Sequence, residues 1–309
     1  MRVRHELFEL PRRILELMNT PIARKRFTKS VLAVTAAATL AVAVIAIRPQ
    51  SSEAATPASA SANSSASKPT IVLVHGAWAD GSSFAPETAA LQLAGYKVLL
   101  APNPLRGEVT DAGVLKNFLA QKTSGPVVLV GHSYGGVVIS SAATGNPNVK
   151  ALVYVDAYAP NTGESASGLT GAQPGSLLNV PDPSTVFDFV LPTPDASQGD
   201  WDAYIKTDKF QSIFAASLPK VETDVLAAGQ SPVTLGALAT PFSGEPAWKT
   251  IPSWFFIGTA DKVIPAAEQR IMAARAHGTV VEANAPHLSM LAKPLQVTNL
   301  IIQAAKSVH

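Results

Sequence analysis

Six consecutive residues, Gly131-His132-Ser133-Tyr134-Gly135-Gly136, place a hydroxyl between glycines directly after the apolar run Val127–Val130 and before a helical stretch. This is the G-x-S-x-G pattern in the strand–turn–helix setting where it makes a nucleophile. The turn is so sharp that its serine adopts a strained backbone, and only residues without side chains at 131 and 135 let strand and helix approach. Ser133 is thereby pushed out beside the helix start, where backbone N–H groups and the positive dipole end face a developing oxyanion. A serine at its own pKa is a poor nucleophile and needs an imidazole to take its proton. There are six histidines. His5 lies near the start, His309 is the last residue, and His75 and His132 belong to other motifs. His277 precedes Gly278 at a predicted helix end, a place where histidine usually serves the helix dipole. His287 follows the short run Thr279–Glu282 through Ala283-Asn284-Ala285-Pro286, on a loop after the last predicted strand, and is the better base.

An acid that fixes the imidazole tautomer completes the set. Two aspartates between Ser133 and His287 follow strand-like runs. Asp261 lies after Trp254–Ile257 in Gly258-Thr259-Ala260-Asp261-Lys262, and Asp156 follows Val153–Val155. Asp261 is preferred and Asp156 is its rival, each with helix capping or loop structure as an alternative role. The oxyanion needs two N–H donors, one from the residue after the nucleophile and one from the loop after the first strand. Tyr134 and Ala77 fit. In His75-Gly76-Ala77-Trp78 the glycine permits close approach and the small alanine leaves room for a substrate oxygen. His75 reads as a histidine bonded to local backbone, and Trp78 as a wall of the substrate pocket.

These residues need a frame that gathers loops at one edge. Ile71–Val74, Lys97–Leu100, Val127–Val130, Ala151–Val155 and Trp254–Ile257 are short, continuous apolar runs, as expected of strands buried on both faces of a parallel sheet. Helical stretches at about 84–94, 109–122, 134–144, 265–276 and 294–306 alternate with them. The alternation predicts a doubly wound α/β sheet. Between about 160 and 247 it breaks into Pro- and Gly-rich sequence with helical pieces at Asp208–Ser217 and Val221–Ala228, read as a helical cap over the strands' carboxyl ends. Its aromatic residues, among them Phe187, Phe189, Trp201, Phe210 and Phe214, suit either an apolar chamber or the packing of cap onto sheet.

The 309 residues are 47% hydrophobic and 15% charged, too apolar for a disordered chain. The absence of cysteine removes disulfides, thiolate nucleophiles and thiolate-bound metals together. The first 48 residues hold nine basic and three acidic residues, which leaves 15 basic and 19 acidic in the rest and no basic stripe for nucleic acid. Within them the cluster Arg24-Lys25-Arg26-Phe27-Thr28-Lys29 precedes Val31–Ile47, 17 uncharged residues. Basic flank and apolar run read as an export signal at 1–48, or as an uncleaved membrane anchor through 31–47. Arg24-Lys25 resembles a twin-arginine signal with lysine in the second place, which leaves the route open. The stretch 49–68 of Ala, Ser, Thr and Pro is a disordered linker, and the folded domain runs from 69 to 309.

From Thr70 onward the chain resembles the α/β-hydrolase superfamily. Within it the chain is similar to the branch with plant methylesterases, hydroxynitrile lyases and related bacterial esterases. The resemblance is carried by Val74-His75-Gly76-Ala77-Trp78, Gly131-His132-Ser133-Tyr134-Gly135-Gly136, Asp261-Lys262-x-Ile264-Pro265 and Pro286-His287-Leu288-Ser289-Met290-Leu291. It implies Ser133 as nucleophile, His287 as base, Asp261 as acid and the N–H groups of Ala77 and Tyr134 as oxyanion hole. The lyases of this branch place a lysine directly after the catalytic histidine, where this chain has Leu288, and use a threonine in the first loop where it has the Gly76-Ala77 pair. Ester hydrolysis is therefore favoured over lyase activity. No run before Ile71 can supply two leading strands, so a core of about six strands is expected. The expected protein is an exported or membrane-tethered serine carboxylesterase acting on small or medium apolar esters, with no cofactor or metal. A cofactor-free lyase, an acyltransferase and a non-catalytic ligand-binding homologue remain alternatives.

Overall fold

The apolar runs form a sheet because each has enough β-branched and aromatic bulk to fill both of its faces. The computed structural model describes residues 68–308; the expected signal or anchor at 1–48 and nearly all of the linker at 49–68 lie outside them. Strands β1 (Thr70–Val74), β2 (Val98–Ala101), β3 (Val127–His132), β4 (Val149–Val155), β8 (Ser253–Gly258) and β9 (Thr279–Ala283) form one parallel sheet in the order β2-β1-β3-β4-β8-β9. The four central strands are buried almost throughout. The expectation of burial on both faces fails at the edge strand β2, where Leu100 is 43% exposed, because no strand or helix covers that margin fully.

Helices α1 (Ala85–Leu93), α2 (Glu108–Lys122), α3 (Gly135–Ala142) and α8 (Ala266–Arg275) cross between the strands, and α10 (Pro294–Lys306) follows the last of them. In α10 the buried Val297, Leu300, Ile301 and Ala304 recur at helical spacing, and Pro294 starts the helix where its missing N–H is harmless. The chain leaves β1 toward β2 and returns to the far side of β1 as β3. The order of strands therefore reverses between β1 and β3, and loops from these two strands open a crevice at their carboxyl ends.

The insertion after β4 carries α4 (Ala166–Ala172), α5 (Thr207–Phe214), α6 (Lys220–Ala228) and α7 (Leu235–Ala239). It also holds a three-stranded antiparallel sheet absent from the sequence expectation, built of β5 (Phe187–Val190), β6 (Asp202–Ile205) and β7 (Val233–Thr234). The insertion enters and leaves through a narrow neck. The Gly163 N–H donates to the Phe242 carbonyl at 2.9 Å and the Phe242 N–H to the Glu164 carbonyl at 2.7 Å. The Trp248 indole N–H reaches the Pro160 carbonyl at 2.9 Å. No helix among the described residues is long and apolar enough to cross a membrane.

Candidate active site

Ser133 stands one residue past β3 with φ +53°, the left-handed region that a serine enters only under constraint. Its neighbours show the cause. A Cβ at Gly131 would lie 2.7 Å from the Gly135 carbonyl carbon, and one at Gly135 would lie 2.4 Å from the Val74 carbonyl oxygen. The turn can close only with bare backbone at both places. On the other side of the crevice the loop after β1 comes so close that a Cβ at Gly76 would lie 2.6 Å from that of Ser133. Register explains the meeting, since Val74 pairs with Gly131 and the two strands end together. The next N–H along that loop is that of Ala77. Among the described residues neither this N–H nor that of Tyr134 has a hydrogen-bond partner. Buried unpaired backbone donors are rare, and two beside one hydroxyl form a site for negative charge.

His287 is fully buried on the loop between β9 and the short helix α9 (Ser289–Ala292). Its Nδ1 lies 2.8 Å from Asp261 Oδ2. The Asp261 carboxylate also accepts the Val263 N–H at 2.7 Å, the Ile264 N–H at 3.1 Å and the Gln269 amide at 2.8 Å. It can therefore only accept from Nδ1, which leaves Nε2 as the bare, proton-accepting nitrogen. That Nε2 is buried and has no hydrogen-bond partner. The ring is set against the elbow. His132, the residue before Ser133, packs on it with centroids 4.7 Å apart, and His132 Nε2 donates to the His287 carbonyl at 3.1 Å. Burial first, then the nearby His287, holds the His132 imidazole well below its ordinary range, so it stays neutral.

The structure thus joins Asp261 to His287, sets His287 against His132, the residue before Ser133, and brings the loop that carries Ala77 against Ser133 itself, with no hydrogen bond from His287 Nε2 to the Ser133 hydroxyl. Asp156 also comes near, but its oxygens go to Gly258 and Ser289 and not to the imidazole. His277 is exposed at the end of α8 with φ +50°, apart from this group. His75 donates from Nδ1 to the Gly76 carbonyl at 2.9 Å, a local backbone bond. Three supports had no signal in the motifs. Gln269 steadies Asp261 from a helix eight residues on, and His132 braces the His287 loop. Asp111 in α2 accepts the Tyr134 phenol at 3.1 Å, which fixes the residue that follows Ser133.

Trp78 is buried at φ +57° and pinned to the cap, its N–H donating to the Ser231 carbonyl at 2.8 Å and its indole N–H to the Ala203 carbonyl at 2.9 Å. Its ring stacks on Phe187 at 5.5 Å and meets Phe214 edge-on at 6.1 Å; Phe214 in turn packs on the His287 ring at 4.8 Å. The indole forms part of the wall of two cavities. One of about 420 Å³, lined by Tyr158, Thr170, Phe187, Leu235 and Leu238, lies under the cap. A smaller one of about 130 Å³ lies against Phe210, Phe214 and Leu288. Neither has Ser133 on its wall, and Trp78 lines both. Of the other cap aromatics, Phe189 and Trp201 pack on each other at 6.0 Å.

Comparison with known proteins agrees with this fold. A family model described as the alpha/beta hydrolase family matches residues 71–299. A carbendazim-hydrolyzing esterase from Nocardioides sp. (strain SG-4G) is 30% identical over 219 residues, covering 58% of this chain and 88% of that one. Among solved structures, polyneuridine aldehyde esterase superposes with a TM-score of 0.63 at 20% identity, covering 77% of this chain and 99% of its own. An extracellular alpha/beta-hydrolase from a Paenibacillus species superposes with a TM-score of 0.62 at 20% identity, covering 76% and 98%. At such identities the two structures speak for the fold alone.

Proposed function

The chain belongs to the alpha/beta hydrolase family, and from that premise we propose that it is a serine carboxylesterase cleaving neutral, apolar esters of small or medium size through an acyl-enzyme. The observation that carries the reading is the buried Asp261–His287 pair, whose second imidazole nitrogen is unpartnered beside the Ser133 elbow. His287 Nε2 takes the Ser133 proton as Oγ attacks the ester carbonyl. The oxyanion is held by the N–H groups of Ala77 and Tyr134, and the imidazolium by Asp261. Its proton passes to the leaving alcohol. Water, activated by the same imidazole, then attacks the acyl-serine and releases the acid.

The substrate class follows from the walls. The larger cavity offers mostly aliphatic and aromatic surface with the neutral polar side chains of Ser167, Thr170, Asn179 and Gln198 and no charged side chain, which suits an uncharged ligand of a few hundred Å³. Leu288, buried next to His287, presents an apolar group where a lyase of the resembling branch has an ammonium.

Export through the basic cluster at 24–29 and the apolar run 31–47 belongs to the same reading, and rests on that sequence pattern. One reagent tests both. A fluorophosphonate should label wild-type protein at Ser133, and a membrane-impermeant form should label it on intact cells. Ser133→Ala should lose labelling and reduce p-nitrophenyl ester turnover by about 10³-fold or more while keeping its fold. Turnover by Ser133→Ala near the wild-type rate would overturn the assignment.

A further inference from the structure

Asp156 is wholly buried at the end of β4 with φ +42°, a conformation that a non-glycine residue holds only when its surroundings require it. What it touches supplies the requirement. Oδ1 accepts the N–H of Gly258, the last residue of β8, at 2.6 Å. Oδ2 accepts the N–H of Ser289 at 3.3 Å and shares a hydrogen bond with the Ser289 hydroxyl, two residues past His287. The three segments interlock. A Cβ at Gly258 would lie 2.7 Å from the Ala285 carbonyl oxygen, 2.9 Å from Asp156 Oδ1 and 3.0 Å from the Pro286 carbonyl oxygen. The loop that delivers His287 is thus held against the end of β8, the strand that delivers Asp261.

Among the described residues no basic side chain reaches this carboxyl, whereas Asp261 has the His287 imidazole beside it. Burial, reinforced by the neighbouring charge of Asp261, raises Asp156 well above the ordinary carboxylate range. Both oxygens accept a backbone N–H, so a neutral acid here carries its proton on Oδ2, donated to the Ser289 hydroxyl, while Oδ1 stays a pure acceptor for Gly258. We propose that Asp156 is a positioning residue for the reaction: as an uncharged carboxyl it clasps Gly258 and Ser289, and so holds the His287 loop in register with Asp261 and Ser133. The inference rests on the esterase reading above, but makes a separate claim, that the two aspartates near His287 differ in kind.

Asparagine has the shape and the donor–acceptor pair of a neutral carboxyl, and that isostery makes the test. The full-length protein and its Asp156→Asn, Asp156→Leu, Ser289→Ala and Asp261→Asn variants are compared for p-nitrophenyl butyrate hydrolysis and for the rate of fluorophosphonate labelling. Rates are expressed per labelled active site, so that loss of folded protein is not read as loss of rate. Asp156→Asn should keep kcat within about threefold of wild type, whereas Asp261→Asn should fall by about 10²-fold or more. Asp156→Leu should lower kcat and the labelling rate about 10- to 100-fold with KM within twofold, the signature of a displaced base and not of a damaged pocket. Ser289→Ala, which keeps the core intact, should share that pattern at a smaller size and serves if Asp156→Leu does not fold. An Asp156→Asn loss as deep as that of Asp261→Asn would overturn the proposal by showing an ionised partner. Full kcat in both Asp156→Leu and Ser289→Ala, or in Ser289→Ala alone if the leucine variant does not fold, would overturn it by showing a purely structural bond. A wild type that neither turns over nor labels overturns the esterase reading and this one together.

Discussion

A single methyl group at Gly76 tests the geometry of the site at its narrowest place. It would meet the Ser133 Cβ at 2.6 Å and the His132 carbonyl oxygen at 2.8 Å, neither of which can swing aside. Gly76→Ala must therefore push the first loop away and carry the Ala77 N–H with it. Since displacement by about 1 Å can cost on the order of 100-fold in rate, kcat/KM should fall by about that factor, and the overpacking should also lower the thermal midpoint by several degrees. An alanine variant as active as wild type would show that the Ala77 N–H does not serve the oxyanion. At this scale the sequence was readable where chemistry and backbone geometry coincide. Ser133 and its glycines announce each other, and His287 was left after the other histidines had been placed. Chain order admits Asp261 and Asp156 alike, and the resemblance to the α/β-hydrolases is what favours Asp261. What separates them, a 2.8 Å bond to Nδ1 in one case and a clasp on Gly258 and Ser289 in the other, depends on how loops fold back and leaves no spacing to read.

Elements with strong periodicity were legible almost to their ends. The predicted helix at 294–306 is α10, and the predicted run Val127–Val130 lengthens only to His132 as β3. The cap was read less fully. Phe187-Asp188-Phe189-Val190 alternates as a strand should, yet it is four residues long among prolines, and its partner β6 begins twelve residues after it ends. Pairing across so irregular a connection is decided by tertiary contacts, not by local pattern. The small sheet matters because β6 holds the Trp78 indole through the Ala203 carbonyl and β5 supplies the stacked Phe187. The indole divides the space of about 420 Å³ from that of about 130 Å³. Trp78→Ala should merge them and raise the ratio of kcat/KM for p-nitrophenyl decanoate to that for the butyrate about tenfold, as expected for a few more methylenes gaining apolar contact. An unchanged ratio would remove the indole from the substrate's path.

Across the whole molecule one buried acid stands out. Glu87 in α1 is fully buried, neither of its oxygens has a hydrogen-bond partner, and burial pushes its carboxyl up to about 8. In the unfolded chain it ionises in the ordinary carboxylate range. The folded state therefore binds a proton that the unfolded state has lost. The stabilising effect of that proton is complete below the ordinary range and is lost progressively as pH rises toward about 8. Glu87→Gln keeps a neutral side chain at every pH. Its advantage in urea unfolding over wild type should grow from pH 5 to pH 8 by on the order of 1–3 kcal/mol, and a difference independent of pH would show that the carboxyl is solvated.

The narrow neck of the insertion has a consequence for how such a protein can change. Chain that leaves at Pro160 and returns near Trp248 is tied at its base by the Gly163–Phe242, Phe242–Glu164 and Trp248–Pro160 bonds, so the frame senses its two ends more than its length. Doubling a loop adds only about 0.6 kcal/mol of closure entropy. Ser133, Asp261 and His287 all lie outside the tied stretch, while Phe187 and the Ala203 carbonyl that anchors Trp78 lie inside it. In the proposed assignment the instructions for breaking an ester and the instructions for choosing one are therefore written in different parts of the chain, and the second can be rewritten by insertion, deletion or exchange while the first is kept whole.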